Sequence, residues 1–271
     1  MKIKPQLRIA LIYVVASMAW VWASDRLLDL LVQDPHTHQL WGAWKRWAFV
    51  VCSAYLIYWL VHRDMQRLDG LNNRLLQGHA QTLSVLVSAM DIRHKETSDH
   101  SERVMRMAEG LGRLAGVRGQ ALQNLRLGAL LHDIGKLALP DCVLIKPGPL
   151  TSEEINVMRT HTRMGHDMLR QIDFLRDATD IPFSHHERWD GGGYPQGLVG
   201  EMIPLAARIF SVVDVWDALS HPRVYKPAWP REDVIDYLKN AAGSQLDPCL
   251  VRLFLRHYDE LVALGANEAS V

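Results

Sequence analysis

The chain has 271 residues with 30 basic and 30 acidic side chains, so it lacks the cationic excess of a protein that binds nucleic-acid polymers without sequence preference. Its three cysteines, Cys52, Cys142 and Cys249, share no motif spacing. That excludes a disulfide framework and a zinc knuckle, and it fits a reducing compartment.

Residues 1–63 differ in character from the rest. Lys2, Lys4 and Arg8 precede an uncharged apolar run from Ile9 to Ser24, and Lys45 and Arg46 precede a second, from Trp47 to His62, which Arg63 closes. Each run is 16 residues long, slightly short of the roughly 20 that span a bilayer, and Arg8, Lys45 and Arg46 can extend them by snorkelling. Trp20, Trp22, Trp41, Trp44, Trp47 and Trp59 lie in or beside the runs, as in interfacial belts. The pattern predicts a two-helix transmembrane hairpin, with helices at about 8–24 and 45–62 and a short loop at about 25–44. A pair of buried core helices and a signal peptide cleaved near Val21-Trp22-Ala23 are the alternatives. Arg63, Arg67 and Arg74 place the following portion on the cytoplasmic side, by the excess of positive charge found there. The expected location is a bacterial inner membrane, crossed twice.

Over residues 64–84 and just beyond, Leu68, Leu71, Leu75, Leu76, Leu83, Leu86 and Val87 recur at helical spacing. This linker helix either pairs with a second copy in a homodimer or packs into a core. Thereafter helical periodicity marks 101–115, 121–134, 152–171, 201–220, 231–242 and 247–263, with no strand-like alternation. Pro140, Pro147, Pro149 and the glycines at 191–193 mark the loops. The soluble part, about 85–265, is therefore expected to be all-α, with a substantial core.

Metal-type ligands occur along this part of the chain. Glu96 and His100 are four residues apart and share a helix face. His132-Asp133 ends an apolar helix, where a charged pair is costly to bury unless it is bound to something. His161 follows in a helix, then His185-His186, then Asp214 within an apolar stretch. Singly, each has an ordinary explanation: a hydrogen-bonded helical histidine, a solvated glutamate, an internal acceptor. Together, imidazoles and carboxylates without a thiolate suit six-coordinate iron or manganese better than a structural zinc.

His132-Asp133 with Gly135-Lys136 resembles the HD superfamily of metal-dependent phosphohydrolases. The segment His185-His186-Glu187-Arg188-Trp189-Asp190-Gly191-Gly192-Gly193-Tyr194-Pro195 is similar to the extended signature of its HD-GYP subgroup. The resemblance covers about residues 85–265 and implies a compact helical bundle that hydrolyses cyclic di-GMP at a centre of two or three divalent metals, iron or manganese. It assigns metal binding to Glu96, His100, His132, Asp133, His161, His185, His186 and Asp214, with Glu96 either on a third metal or behind the ligands. It assigns the substrate phosphates to Arg223 and Lys226, a further phosphate contact to Lys136, and the pocket wall to Tyr194. Asp133 is then the bridge between two metals about 3.5–4 Å apart, and His132, Asp133 and Lys136 are the catalytic group.

Two departures stand out: Ser184 where many relatives carry a third histidine, and Pro227 where a second basic residue is common. The implied function is a membrane-anchored phosphodiesterase that opens cyclic di-GMP to pGpG and goes on, in some members, to GMP. The alternatives are a catalytically silent receptor for cyclic di-GMP and a phosphodiesterase for another cyclic dinucleotide such as cyclic GMP-AMP.

Overall fold

The structure is a computed structural model that describes residues 5–94, 100–222 and 227–266. Glu96, Arg223 and Lys226 lie outside the described residues. Twelve α-helices follow one another among those described: α1 (Pro5–Leu31), α2 (Pro35–His94), α3 (His100–Leu114), α4 (Gly119–Leu130), α5 (Asp141–Leu144), α6 (Ser152–Arg159), α7 (His161–Leu169), α8 (Asp180–Ser184), α9 (Leu205–Ser220), α10 (Arg231–Ala241), α11 (Pro248–Arg256) and α12 (Tyr258–Ala266). Single 3-10 segments occupy Ile134–Ala138, Asp173–Ala178 and Gly200–Met202. No strand forms among the described residues; only isolated bridges occur, Asp190 with Val199 and Ala242 with Leu246. The all-α expectation holds.

The chain divides into two compact units, Met1–Ala80 and Gln81–Val271. In the first, the expected loop at 25–44 is corrected. Both helices continue through it and leave only residues 32–34 between them. Pro35 opens α2, and Asp34 accepts from the backbone N–H and hydroxyl of Thr37 at 2.8 and 2.6 Å, so the turn is capped as soon as α1 ends. Arg8 pairs with both carboxylate oxygens of Asp64 at 2.6 and 2.8 Å, and Lys45 pairs with Asp25. The two helices are thus tied antiparallel at both ends of the apolar stretch.

Most large apolar side chains of this unit face outward, Leu30, Trp22 and Trp44 each at about 70% exposure or more. Among the described residues one helical segment, Leu7–Leu31, is long and apolar enough to cross a membrane. The second expected span lies inside α2 and does not meet that measure. Lys45 and Arg46 at one end and Arg63 and Asp64 at the other confine its uncharged run to 16 residues, and tryptophans and tyrosines dilute it.

In the second unit α9 is the central helix. Ala207, Ile209, Phe210, Val212, Val213 and Trp216 are all buried, and each large side chain among them contributes about 1.5–3 kcal/mol on leaving water. Around it pack Val104, Met107, Ala108 and Leu111 of α3, Leu125 and Ala129 of α4, Val234 and Leu238 of α10, Phe254 of α11 and Leu261 of α12. Leu83 and Val87 join this core, whereas Leu68 is exposed. The side chains of Leu71, Leu75 and Leu76 lie outside the described ones.

Several expected helices are split. The stretch 152–171 breaks at Thr160, whose hydroxyl donates to Val157 O at 2.6 Å. Pro204 separates Gly200–Met202 from α9, and His257, with φ −112°, separates α11 from α12. Asp247 caps α11 through the N–H groups of Cys249 and Leu250, and its other oxygen receives Arg208 of α9 at 2.8 Å.

Candidate metal centre

The His132-Asp133 pair sits in the turn that carries α4 into the Ile134–Ala138 segment, both residues almost wholly buried. α7 presses directly on that turn. A Cβ placed on Gly135 would lie 1.9 Å from His161 O and 2.5 Å from Gly165 N, so only glycine permits the approach. The break at Thr160 starts α7 at His161 and sets that imidazole against Asp133. His185 caps the short α8, with its N–H on Ile181 O, and His186 follows. α3 begins at His100, and α9 brings Asp214 to it from the other side, His100 Nε2 lying 3.9 Å from Asp214 Oδ1.

The imidazoles are aimed by what their other nitrogens hold. His132 Nδ1 donates to Ala129 O at 2.9 Å, His161 Nδ1 to Met158 O at 2.7 Å, and His185 Nδ1 to Ile181 O at 2.9 Å. His100 Nδ1 meets Asp217 Oδ2 at 2.7 Å. In each ring the proton assigned by these partners is on Nδ1, which leaves Nε2 as the lone-pair atom turned into the site.

Two groups of possible ligands result, each with its donor atoms within 4.8 Å of one another: His161, His185 and His186, and His100, His132 and Asp214. Asp133 lies between them. Its Oδ2 is 3.2 Å from His132 Nε2, and its Oδ1 is 3.3 Å from His161 Nε2 and 3.8 Å from His185 Nε2.

This packing is electron-rich. The Nε2 atoms of His161 and His185 are 3.4 Å apart, and with both Nδ1 protons given to carbonyls neither ring has a second proton to share. Asp133 Oδ1 is buried and accepts no hydrogen bond, an expensive state for a carboxylate oxygen. Burial pushes the Asp133 carboxyl up, but the Lys136 ammonium at 2.6 Å and His132 outweigh it and hold the group well below the usual range. Burial lowers His161, carries His185 well below its ordinary value with help from His186, and takes His186 down to about 3. The result is an ionised carboxylate among neutral imidazoles with their lone pairs converging. A divalent cation resolves that repulsion, and the donor set, nitrogen and oxygen without sulfur, fits one.

The His185–Pro195 loop forms one wall. Its shape comes from Glu187, buried, whose two carboxylate oxygens accept from Gln196 N at 2.7 Å and Leu198 N at 3.0 Å. Gly193 folds back so tightly that a Cβ there would come within 2.4 Å of Arg188 N. Tyr194 then stacks on His186 at 4.8 Å, with the Arg159 guanidinium 5.0 Å over its ring.

Of the eight expected metal ligands, seven converge here: His100, His132, Asp133, His161, His185, His186 and Asp214. Glu96 lies outside the described residues. Lys136 and Tyr194 also reach the site, Lys136 resting on Asp133 in this structure. Glu187, Arg159, Arg103 and Asp217 were not anticipated. Glu187 stood in the quoted motif, and Asp217 lies three residues after Asp214, one helical turn along the same face. Arg103 and Arg159 carried no sequence signal.

Residues 84–250 match the model of the HD domain. Among curated proteins the chain is 42% identical over 193 residues to the cyclic di-GMP phosphodiesterase response regulator RpfG of Xanthomonas campestris, an alignment that covers 70% of this chain and 51% of that one. It is 38% identical over 184 residues to a 3'3'-cGAMP-specific phosphodiesterase of Vibrio cholerae, covering 67% and 35%. With a cyclic di-GMP phosphodiesterase of Thermotoga maritima it shares 35% over 190 residues, covering 69% and 52%. The chain thus spans about half the length, or less, of these relatives. A crystal structure of a cyclic GMP-AMP-specific phosphodiesterase from V. cholerae superimposes with a TM-score of 0.55 at 20% identity, over 69% of this chain and 51% of that one, which is a likeness of fold. Because the matched segment takes in well over half of the chain and carries all seven converging ligands, the chain belongs to the HD-domain family.

Proposed function

We propose that the chain is a metal-dependent phosphodiesterase of HD-GYP type that opens cyclic di-GMP to linear pGpG, with GMP as a further product. The observation that carries this reading is Asp133, an ionised buried carboxylate with one oxygen toward each group of imidazoles. Relatives named for cyclic di-GMP hydrolysis, from X. campestris and T. maritima, support the substrate class.

Two divalent ions, iron or manganese, would supply an activated water there and neutralise charge on the phosphoryl oxygens. His100, His132 and Asp214 would hold one and His161, His185 and His186 the other, with Asp133 shared; Glu96 is the proposed additional ligand. The Nδ1 anchors fix the ring directions before an ion arrives, so little reorganisation remains. Lys136 balances the charge of Asp133 and is proposed to meet a phosphate oxygen. Arg223 and Lys226 are proposed to grip the second phosphate. Tyr194 offers an aromatic face beside the ligands. In the hydrolysis the oxygen of water bonds to phosphorus as the bond to the 3′ oxygen breaks; a proton from that water ends on the 3′ oxygen as a hydroxyl, and the phosphate stays on the 5′ side.

The test uses the full chain in detergent, loaded anaerobically with Fe(II) or Mn(II) and incubated with cyclic di-GMP, the products being separated by ion exchange. Appearance of pGpG is expected; intact substrate with fully loaded protein refutes the reading. A second substrate, cyclic GMP-AMP, is favoured by the relative from V. cholerae specific for it. The ratio of kcat/KM for the two nucleotides in competition decides between them.

The division into an anchor (1–63), a linker helix (64–84) and a catalytic domain (85–265) belongs to the same proposal, as do a multi-pass inner-membrane location with the catalytic domain in the cytoplasm and a homodimer through the linker. Leu7–Leu31 and the outward-facing apolar side chains of α1 and early α2 support membrane attachment, and Arg63, Arg67 and Arg74 support the orientation. Resistance of the native protein to alkaline extraction from membranes checks the attachment. Protease access to the C-terminal domain in inside-out vesicles checks the orientation, and cross-linking of cysteines introduced along 64–84 checks the dimer.

A further inference from the structure

Among the described histidines of the centre, His100 is the one whose Nδ1 is held by a carboxylate. Asp217 is buried and makes four contacts: Oδ2 with His100 Nδ1 at 2.7 Å and Arg103 Nη2 at 3.0 Å, Oδ1 with Arg103 Nε at 2.5 Å and His221 Nδ1 at 3.1 Å. His100 and Arg103 are one turn apart on α3, and Asp214 and Asp217 one turn apart on α9, so two helix faces meet rung by rung. The outer rung is a two-point Arg103–Asp217 pair, a geometry that fixes direction as well as charge. The inner rung is His100 Nε2 facing Asp214.

We infer that Asp217 is a positioning residue for the His100, His132 and Asp214 group: by accepting the Nδ1 proton of His100 it fixes the ring so that the Nε2 lone pair faces Asp214, and so controls cation retention at that group and not at the His161, His185 and His186 group. The inference rests on the metal-centre reading above. The physical case is that a carboxylate partner sets both the tautomer and the basicity of a ligating imidazole. An asparagine in its place would turn its carbonyl to Arg103 and its amide to His100, driving the proton to Nε2 and spoiling the ligand, as a carboxamide does beside other functional histidines.

Mn(II) alone is the probe. The full chain in detergent is titrated with Mn(II) against a competing chelator, the bound ion counted by mass spectrometry, and the metal-free protein melted. Asp217→Asn is expected to weaken one class of Mn(II) by about 10–100-fold and leave the other class unchanged. Asp217→Ser serves the same measurement where Asn fails to fold. Arg103→Met breaks the outer rung only; it is expected to lower the melting temperature while keeping both classes within a few-fold. Wild-type Mn(II) affinity in Asp217→Asn, or an equal loss in Arg103→Met, overturns the positioning role and leaves the metal centre standing. No Mn(II) bound by the wild type overturns the metal-centre reading and this assignment with it.

Discussion

The two ligand groups differ in how they are built. His161, His185 and His186 are all imidazole, and the Nδ1 atoms of His161 and His185 lean on main-chain carbonyls one turn away. His100, His132 and Asp214 include a carboxylate, and His100 leans on a second carboxylate from another helix. The first group is aimed by nearby backbone: the last turn of α6 holds His161 through Met158, and α8 holds His185 through Ile181. The second exists only while α3 and α9 stay in register. An all-nitrogen site gains its charge balance from the shared Asp133, whereas the other carries charge of its own. Nearby backbone thus aims the neutral group, and contact between distant helices aims the charged one.

The largest effect should follow from removing what the groups share. Asp133→Ala is expected to reduce turnover by about 10³-fold or more, since several kcal/mol of charge stabilisation depends on the ions it joins, and to release metal from both groups. Turnover and metal content measured together check this. Retention of both ions would show the two groups to be independent of Asp133.

Next in size, His161→Ala should lower turnover by about 100-fold, or roughly 2.7 kcal/mol at 1.36 per decade, and release metal from the all-imidazole group only. Loss of both ions on titration would show that the groups act as one, and the contrast between them would be void.

Gly135→Ala acts through packing. Its Cβ would meet His161 O at 1.9 Å, and overpacking of this kind costs about 1–3 kcal/mol or more. The melting temperature should fall and metal should be lost first from the His161 group; an unshifted melting curve would contradict the tight approach of α7.

Glu187→Gln removes the charge behind two backbone hydrogen bonds, each worth about 1.5–3 kcal/mol when charge-assisted. Here KM should rise with metal content unchanged, because the Glu187 carboxylate holds the loop through Gln196 and Leu198. The smallest effect is expected of Tyr194→Leu, which forfeits a stack worth about 0.5–1.5 kcal/mol and should alter KM a few-fold at most, as steady-state kinetics will show.

What could be read in advance follows the range of the forces involved. Helical periodicity is local, so the stretch that became α10 was legible to within a residue. The breaks were less so: Thr160 is an ordinary helix residue by type, and only the fit of α7 against Gly135 explains why the chain turns there. Likewise the loop expected at 25–44 vanished because Asp34 and Pro35 make an efficient cap, and charges such as Asp25 and Lys45 read as loop signals although they pair across two helices.

The sequence by itself determined the helical class and offered the candidate ligands and the chemistry they suit, because His132-Asp133 and His185-His186 are adjacent in the chain and their side-chain types restrict what they bind. Only the tertiary structure decided that Asp133 stands between two groups, that His161 faces it, and that Asp217 backs His100 across 117 residues of chain. Those contacts depend on glycine-permitted approaches and on the register of buried helices, which are set by packing of the whole core and leave no periodic trace in any one segment.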